Sequence, residues 1–197
     1  MDTLDPIDAL MLTAELVSSP MHVAVLLIMT PPAGEDAGTC VDRMYHDSLT
    51  SGDPLDPRLR RRPHRGVETG GMWVWRDVPD IDLQRHLQRR TLPAGSGTAD
   101  LWELVAELHA ERLDRSAPLW TAHLIDGLDD GFAFYIKVHH IVIDGVAGLQ
   151  MISDSLSPDP DRRDMPPFYA AKSPNHPAEP DKGSSGLPNP LSLVRGA

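Results

Sequence analysis

The chain has 197 residues, with 18 lysines and arginines against 29 aspartates and glutamates, so its formal net charge is −11. This acidic balance argues against a nucleic-acid partner, because most of the surface would repel a phosphate backbone. No apolar stretch reaches the roughly 18–20 residues that a membrane-spanning helix needs, and a single cysteine, Cys40, excludes an intramolecular disulfide. Composition alone names no function.

The first 156 residues alternate between helical and strand patterns. The segment from Leu4 to Val17 has apolar residues at helical spacing, with Asp5 as N-cap and Pro6 in the first turn. The β-rich apolar run from 22 to 29 lies between prolines and predicts a buried strand. An amphipathic pattern over 40–49 predicts a second helix. Residues 51–71 are rich in proline and arginine and are predicted to form a loop.

The following residues continue the alternation. The patterns predict a short strand at 73–75, an ambiguous segment at 82–91, a helix at 100–115, strands at 120–125 and 132–138, and a helix at 145–156. Helices that alternate with strands predict a layered α/β fold.

The C-terminal segment has a different composition. Nine of the 19 prolines fall between Pro158 and Pro190, together with a Gly-Ser-Ser-Gly stretch at 183–186. Such a segment buries too little apolar surface to offset its ordering entropy. We therefore predict that the globular part ends near Leu156 and that residues 157–197 form a linker or tail. Long linkers usually connect two units, so a second lobe is expected beyond this chain.

One segment points to chemistry: an apolar strand ends in two adjacent histidines, and an Asp-Gly pair follows three residues later and opens a helix. Neighbouring side chains on a strand point to opposite faces, so His139 and His140 should not chelate one metal. One should face a packed layer and the other a cleft, where an imidazole suits general-base catalysis. Asp144 could orient the loop by pairing with a cation, and Gly145 would permit a backbone conformation that other residues disfavour.

The alternative is a structural histidine that is simply hydrogen-bonded at a strand end. The spaced Asp-Gly and the flanking strand and helix favour the functional interpretation. The remaining histidines show no metal-ligand spacing, and no metal site is predicted.

Residues 139–145, His-His-Ile-Val-Ile-Asp-Gly, resemble the HHxxxDG signature of the CoA-dependent acyltransferase superfamily, which includes chloramphenicol acetyltransferases and peptide-synthetase condensation domains. More narrowly, residues 4–156 resemble the N-terminal half of bacterial wax ester synthase/acyl-CoA:diacylglycerol acyltransferases. The supporting matches are Leu4-Asp5-Pro6-Ile7-Asp8-Ala9, Pro20-Met21-His22-Val23, Trp75-Arg76-Asp77 with Ile81-Asp82-Leu83 and His86, Leu113-Asp114-Arg115, and Pro118-Leu119-Trp120.

The resemblance implies a chloramphenicol-acetyltransferase-like α/β fold, in which this chain is the first of two lobes and forms a mixed sheet with flanking helices. It implies O-acyl transfer from a long-chain acyl-CoA to diacylglycerol or a fatty alcohol, with acyl-CoA as a substrate and no cofactor. His140 is then the general base, without a covalent acyl-enzyme. His139, Asp144 and Gly145 support the motif, and Arg115 is a candidate salt-bridge partner of Asp144. Pro118, Leu119 and Trp120 are candidates for substrate contact or structure, with packing expected first for Leu119 and Trp120.

Such acyltransferases are about twice this length, so a C-terminal lobe is expected as a partner, on a separate chain or fragment. Lipid substrates and the lack of a spanning segment imply a cytoplasmic protein that associates peripherally with the inner membrane face or a lipid-droplet surface. The arginine cluster at 58–65 could meet CoA phosphates or an anionic membrane, although a solvated loop is the favoured interpretation.

Two alternatives stay open. The same motif could serve another acceptor or a carrier-protein donor, as in condensation-type enzymes. The lobe could also be a non-catalytic interaction module. A CoA-release assay with different acceptors distinguishes the first alternative from acyl transfer to a lipid alcohol. A His140→Ala variant of the complete assembly tests the second, because thioester turnover at the parent rate would exclude a catalytic His140.

Overall fold

A computed structural model describes residues 2–129, 131–159, 162 and 165–171. Within these residues the helices are α1 (Pro6–Ala14), α2 (Ala37–Thr50), α3 (Leu83–His86), α4 (Thr98–Ala110) and α5 (Gly145–Asp154). The strands are β1 (His22–Met29), β2 (Arg61–His64), β3 (Val74–Asp77), β4 (Leu87–Ser96), β5 (Trp120–Leu128) and β6 (Gly131–His139). Every helix in the described part of the chain is too short or too polar to cross a lipid bilayer.

The main sheet has the strand order β1-β6-β5-β4. β6 pairs antiparallel with β1 and with β5, whereas β4 and β5 run parallel. The sheet is therefore mixed, which confirms the predicted fold class. β6 is an inner strand, so the two histidines at its end are held by strands on both sides.

Helices cover both faces of this sheet. Cys40 and Val41 of α2 pack with the larger apolar cluster on one face, whereas Leu101 and Leu108 of α4 belong to a second cluster on the other. The alternation of β6 divides its side chains between the two clusters, with Phe132 and Ile136 on the α2 side and Ala133 and Tyr135 on the α4 side. Burial on both faces explains why β6 reads as an almost continuous apolar run.

The connection between β5 and β6 depends on glycine. Gly127 has a φ of +91°, and a Cβ there would lie 2.4 Å from the carbonyl oxygen of Leu92 in β4. A Cβ on Gly131 would lie 2.3 Å from the carbonyl oxygen of Met29 in β1. Both neighbouring strands therefore approach so closely that no side chain fits at these two positions.

Two segments differ from their sequence-based expectation. The predicted loop at 51–71 contains β2, which pairs antiparallel with β3 so that Arg62 lies opposite Arg76. The ambiguous segment at 82–91 contains both elements, because α3 ends at His86 and β4 begins at the next residue. A strand of four residues with two arginines and a proline carries too little apolar periodicity to be recognised from sequence.

Part of the predicted linker also packs against the core. Phe168 and Tyr169 are buried, and the carbonyl of Tyr169 accepts a 2.8 Å hydrogen bond from the backbone N–H of Asp56. The backbone N–H of Ala171 donates to the carbonyl of Pro54 at 2.7 Å. Packing therefore extends well beyond Leu156, where the sequence placed the end of the globular part. Residues 172–197 lie outside the described residues.

Candidate active site

β6 ends at His139, and His140 follows it directly. The backbone of each histidine is hydrogen-bonded to a neighbouring segment of the chain. The backbone N–H of His139 donates to the carbonyl of Leu119 at 3.0 Å, and that of His140 donates to the carbonyl of Met21 at 3.0 Å. The side chains then diverge as expected for neighbours on a strand: His139 is 1% exposed, whereas His140 is exposed. His140 is thus the imidazole of the pair that a substrate can reach.

The buried ring of His139 is held in one tautomer. Its Nδ1 accepts a 3.2 Å hydrogen bond from the backbone N–H of Ile141, so in the neutral ring the proton lies on Nε2. That Nε2 lies 3.5 Å from the Oε2 atom of Glu15. Burial lowers the pKa of His139, and the neighbouring Glu15 carboxylate acts in the opposite direction. His139 is therefore buried and held in one orientation, and the exposed imidazole of the pair belongs to His140.

Glu15 is itself a buried carboxylate, and it follows α1 directly. Its Oε2 lies 2.5 Å from an Nη atom of Arg115, and its Oε1 accepts a 3.0 Å hydrogen bond from the backbone N–H of Met21. Burial alone would raise the pKa of Glu15, but the hydrogen bonds from Arg115 and Met21 outweigh it and lower the pKa. Arg115 also donates to the carbonyl of Leu12 at 2.9 Å. The suggested pairing of Arg115 with Asp144 is therefore wrong, because its guanidinium is used by Glu15.

Glu15 lies outside the motifs that are recognisable in the sequence. An acidic residue at the C-terminal end of a helix opposes the helix dipole, and this unfavourable position was the available signal. The ion pair with Arg115 explains why a carboxylate is placed here. Sequence spacing does not reveal this pair, because Arg115 is 100 residues away along the chain.

Asp144 begins the last helix rather than forming a close ion pair with Arg115. Its Oδ1 accepts a 2.8 Å hydrogen bond from the backbone N–H of Ala147, which makes it the N-cap of α5. The pKa of Arg58 is raised, first by its hydrogen bond to Asp56 and to a smaller extent by the charge of Asp144. Asp144 is therefore near enough for its charge to act on Arg58, whose ion-pair partner is Asp56.

Gly145 departs from its prediction. It is the first residue of α5, and its φ is not left-handed. A Cβ added there would meet no described atom within 4 Å. The expected conformational reason for this glycine is wrong, because the helix begins here with ordinary backbone geometry.

Asp8 on α1 is the acidic neighbour of His140. Burial and the nearby Asp5 raise the pKa of Asp8, whereas the charges of His140 and Arg61 act to lower it. Asp8 belongs to the segment 4–9 whose sequence resembles the acyltransferase family, but the sequence alone gives this residue no role.

Pro118, Leu119 and Trp120 are all buried and lead into β5. The indole N–H of Trp120 donates to the carbonyl of Leu59 at 3.1 Å, and its ring stacks on His86 with centroids 4.5 Å apart. Leu119 contributes its carbonyl to His139, as described above. These residues therefore pack the strand beside the motif, in agreement with the expectation that Leu119 and Trp120 pack first.

His22 lies directly opposite His139 in the pairing of β1 with β6, and its ring packs edge to face with that of His109 at a centroid distance of 4.6 Å. The ring of His86 stacks on Trp120. Among the described residues, no three His, Cys, Asp or Glu side chains are grouped as ligands of a metal ion would be.

A mixed sheet flanked by helices, with an exposed histidine directly after a buried one at the end of an inner strand, is the arrangement that the resemblance to the acyltransferase superfamily implies. The sequence model of the family described as the wax ester synthase/diacylglycerol acyltransferase catalytic domain matches residues 4–196. The chain therefore belongs to this family.

Individual relatives agree with this assignment. A Mycobacterium tuberculosis protein, Rv0895, provisionally named as a diacylglycerol O-acyltransferase, is 39% identical over 191 residues, covering 96% of this chain and 37% of the relative. The wax ester synthase/diacylglycerol acyltransferase structure from Marinobacter aquaeolei VT8 superposes with a TM-score of 0.77 at 33% identity, covering 87% of this chain and 41% of that one. The starter condensation domain of rhizomide synthetase RzmA shares the fold alone, with a TM-score of 0.55 at 16% identity. The chain thus spans about two fifths of the relatives it matches.

Proposed function

We propose that the chain provides the histidine-bearing lobe of an O-acyltransferase that moves a long-chain acyl group from acyl-CoA to a lipid alcohol. The acceptor is diacylglycerol, which gives triacylglycerol, or a fatty alcohol, which gives a wax ester. The observation that carries the proposal is the exposed His140 at the end of β6, beside a buried His139, in a chain that belongs to this family.

In the proposed reaction His140 accepts the proton of the acceptor hydroxyl. The hydroxyl oxygen attacks the thioester carbonyl, the C–S bond breaks, and His140 returns the proton to the departing CoA thiolate. A positioned base contributes roughly 10²–10⁴-fold to the rate, and the remainder must come from holding both substrates and stabilising the oxyanion. The chemistry needs no cofactor, since acyl-CoA is consumed as a substrate.

The neighbours of His140 support this chemistry in different ways. Asp8 supplies negative charge that stabilises the imidazolium formed when the proton is taken. His139, through Glu15 and Arg115, ties the end of β6 to the residues that follow α1. Asp144 fixes the start of α5 and is thus a positioning residue.

The remaining part of the site is proposed to come from a C-terminal lobe, since the matched relatives are more than twice as long as this chain. We further propose that the protein works at the cytoplasmic side of a membrane or at a lipid-droplet surface, where diacylglycerol and fatty alcohols are available.

The test is CoA release with product analysis, using the chain together with any polypeptide that co-purifies with it. Long-chain acyl-CoA should be turned over only when diacylglycerol or a fatty alcohol is added, and the ester product should appear by mass spectrometry in equal amount. Turnover with amine acceptors or with an acyl carrier protein instead would favour a condensation-type reaction. Binding of acyl-CoA without any turnover, in an assembly that contains the second lobe, would favour a non-catalytic lobe.

A further inference from the structure

The segment from Arg58 to Arg76, here called the basic hairpin, has a charge opposite to that of the rest of the chain. It contains a single acidic residue, Glu68, and no lysine, so its net charge is +5. Its six arginines are Arg58, Arg60, Arg61, Arg62, Arg65 and Arg76. Because the whole chain carries −11, the remaining residues carry −16. A segment this different in charge is expected to meet an anionic partner.

The tip of the basic hairpin is apolar and exposed. Val67 is 97% exposed and Met72 is 59% exposed. Between them Gly70 and Gly71 both have a left-handed φ, which gives the tight turn that presents these two side chains. Exposed apolar residues flanked by arginines are typical of segments that lie in the interface of an anionic membrane.

Several of the arginines are available to a partner. Arg76 is paired with Glu68, and Arg58 with Asp56. In the part of the chain that the structure describes, no carboxylate forms an ion pair with Arg60, Arg62 or Arg65. Arg62 and Arg65 lie on the side of the apolar tip, whereas Arg60 lies at the opposite end of the hairpin, where its guanidinium donates to the carbonyl of Pro79 at 3.2 Å.

The basic hairpin contacts residues that lie close to the motif. The guanidinium of Arg61 lies 4.4 Å from the ring centroid of Trp75, and the carbonyl of Trp73 accepts a 3.1 Å hydrogen bond from the backbone N–H of Leu4. The guanidinium of Arg115, which binds Glu15, lies 5.9 Å from the ring centroid of Trp73. A surface bound at the tip would therefore be connected to the end of β6 through a short series of direct contacts.

We propose that the basic hairpin docks the protein on an anionic lipid surface. Val67 and Met72 enter the boundary between headgroups and acyl chains, and Arg62 and Arg65 lie among the lipid phosphates. The inference rests on the proposed function, because docking on a lipid surface serves an enzyme whose acceptor is a lipid. The binding itself can be measured without any acyl transfer. CoA phosphates would also attract the arginines, yet they give no reason for the two apolar side chains at the tip.

Vesicle flotation tests the proposal. The full chain is mixed with vesicles of phosphatidylcholine alone, or of equal parts of phosphatidylcholine and phosphatidylglycerol, at low and at high salt. We expect flotation with the anionic vesicles at low salt and little with the others, because salt screens the attraction. The double variant Val67→Ser/Met72→Ser should weaken the partition coefficient by about tenfold or more. Arg62→Glu/Arg65→Glu should weaken it by a similar or larger factor.

Two matched controls lie away from the basic hairpin. Trp102→Ser removes a larger apolar side chain that is 55% exposed on α4, and Arg90→Glu reverses an exposed arginine on β4. Both controls should float like the parent chain. Val67 and Met72 are exposed, so their variants should keep the parent's circular dichroism and report binding rather than unfolding.

Equal losses in the controls, or parent-like flotation of Val67→Ser/Met72→Ser, would overturn the proposal. Release from vesicles by free CoA, with Val67→Ser/Met72→Ser unaffected, would instead assign the arginines to CoA and would also overturn it. Transfer to a fatty alcohol that is supplied in uncharged detergent micelles, without any vesicle, separates this inference from the proposed function. That activity should persist in the hairpin variants, and its absence in the parent would count against the proposed function alone.

Discussion

His123 should make the fold sensitive to mild acid. It is buried on β5, with its ring centroid 6.1 Å from that of Tyr135. Burial, with smaller contributions from the charges of Arg90 and Lys137, lowers the pKa of His123 from 6.5 to about 4. The folded chain therefore keeps this ring neutral at pH values where the unfolded chain protonates it. Stability is unaffected by His123 above pH about 6.5, falls as the pH drops towards about 4, and changes no further below that.

The size of the effect follows from the two pKa values. At pH about 5, protonation of this one ring raises the equilibrium constant of unfolding by a factor of about 30. This corresponds to about 2 kcal/mol of stability lost relative to pH about 7.5. His22, His86 and His139 also have pKa values lowered by burial, so the parent chain should lose more than this in total. The contribution of His123 is therefore the difference between the parent and His123→Gln.

Urea unfolding at the two pH values measures that difference. His123→Gln should lose about 2 kcal/mol less than the parent between pH about 7.5 and about 5. His46→Gln, which changes an exposed histidine on α2, should follow the parent. Equal losses in the parent and in His123→Gln would refute the reasoning, because they would mean that His123 is not held neutral in the folded chain.

Three further substitutions test the packing around the site by urea unfolding. Glu15→Gln should lower the free energy of unfolding by about 1.5–3 kcal/mol, because buried charged hydrogen bonds are weakened. Glu35→Gln should lower the free energy of unfolding by a smaller amount, because the ion pair of Glu35 with Arg43 is more exposed. Trp120→Phe loses the indole hydrogen bond and should cost about 1–3 kcal/mol, whereas Trp102→Phe, at an exposed position, should be close to neutral. Lys137→Met leaves two carbonyls at the end of α4 without their buried donor and should cost about 1–3 kcal/mol. An unchanged unfolding midpoint in Glu15→Gln, Trp120→Phe or Lys137→Met would contradict the corresponding contact.

The fold was largely predictable because its strands and helices carry strong local patterns. The apolar run at 22–29 and the helical stripe of α4 appear where they were expected, since burial of a continuous face imposes a period on the sequence. β2 was missed because it is short, polar and paired only with β3. Phe168 and Tyr169 were missed because their burial depends on Trp120 and Asp56, which are distant in sequence.

The same distinction holds at the site. The alternation of His139 and His140 between a buried and an exposed position follows from strand geometry and could be read from the sequence. Glu15 and Asp8 become neighbours of these histidines only when α1 folds against the end of β6. Partners of buried charges are set by tertiary contacts, and sequence spacing carries little information about them.

The central claim, that His140 is the general base, is tested most directly by removing its ring and then supplying imidazole. The readout is CoA release from a long-chain acyl-CoA with diacylglycerol or a fatty alcohol, in the assembly that contains this chain. His140→Ala should lower turnover by roughly 10²–10⁴-fold, and free imidazole should restore part of it. His46→Ala should match the parent. Turnover at the parent rate in correctly folded His140→Ala would contradict the account.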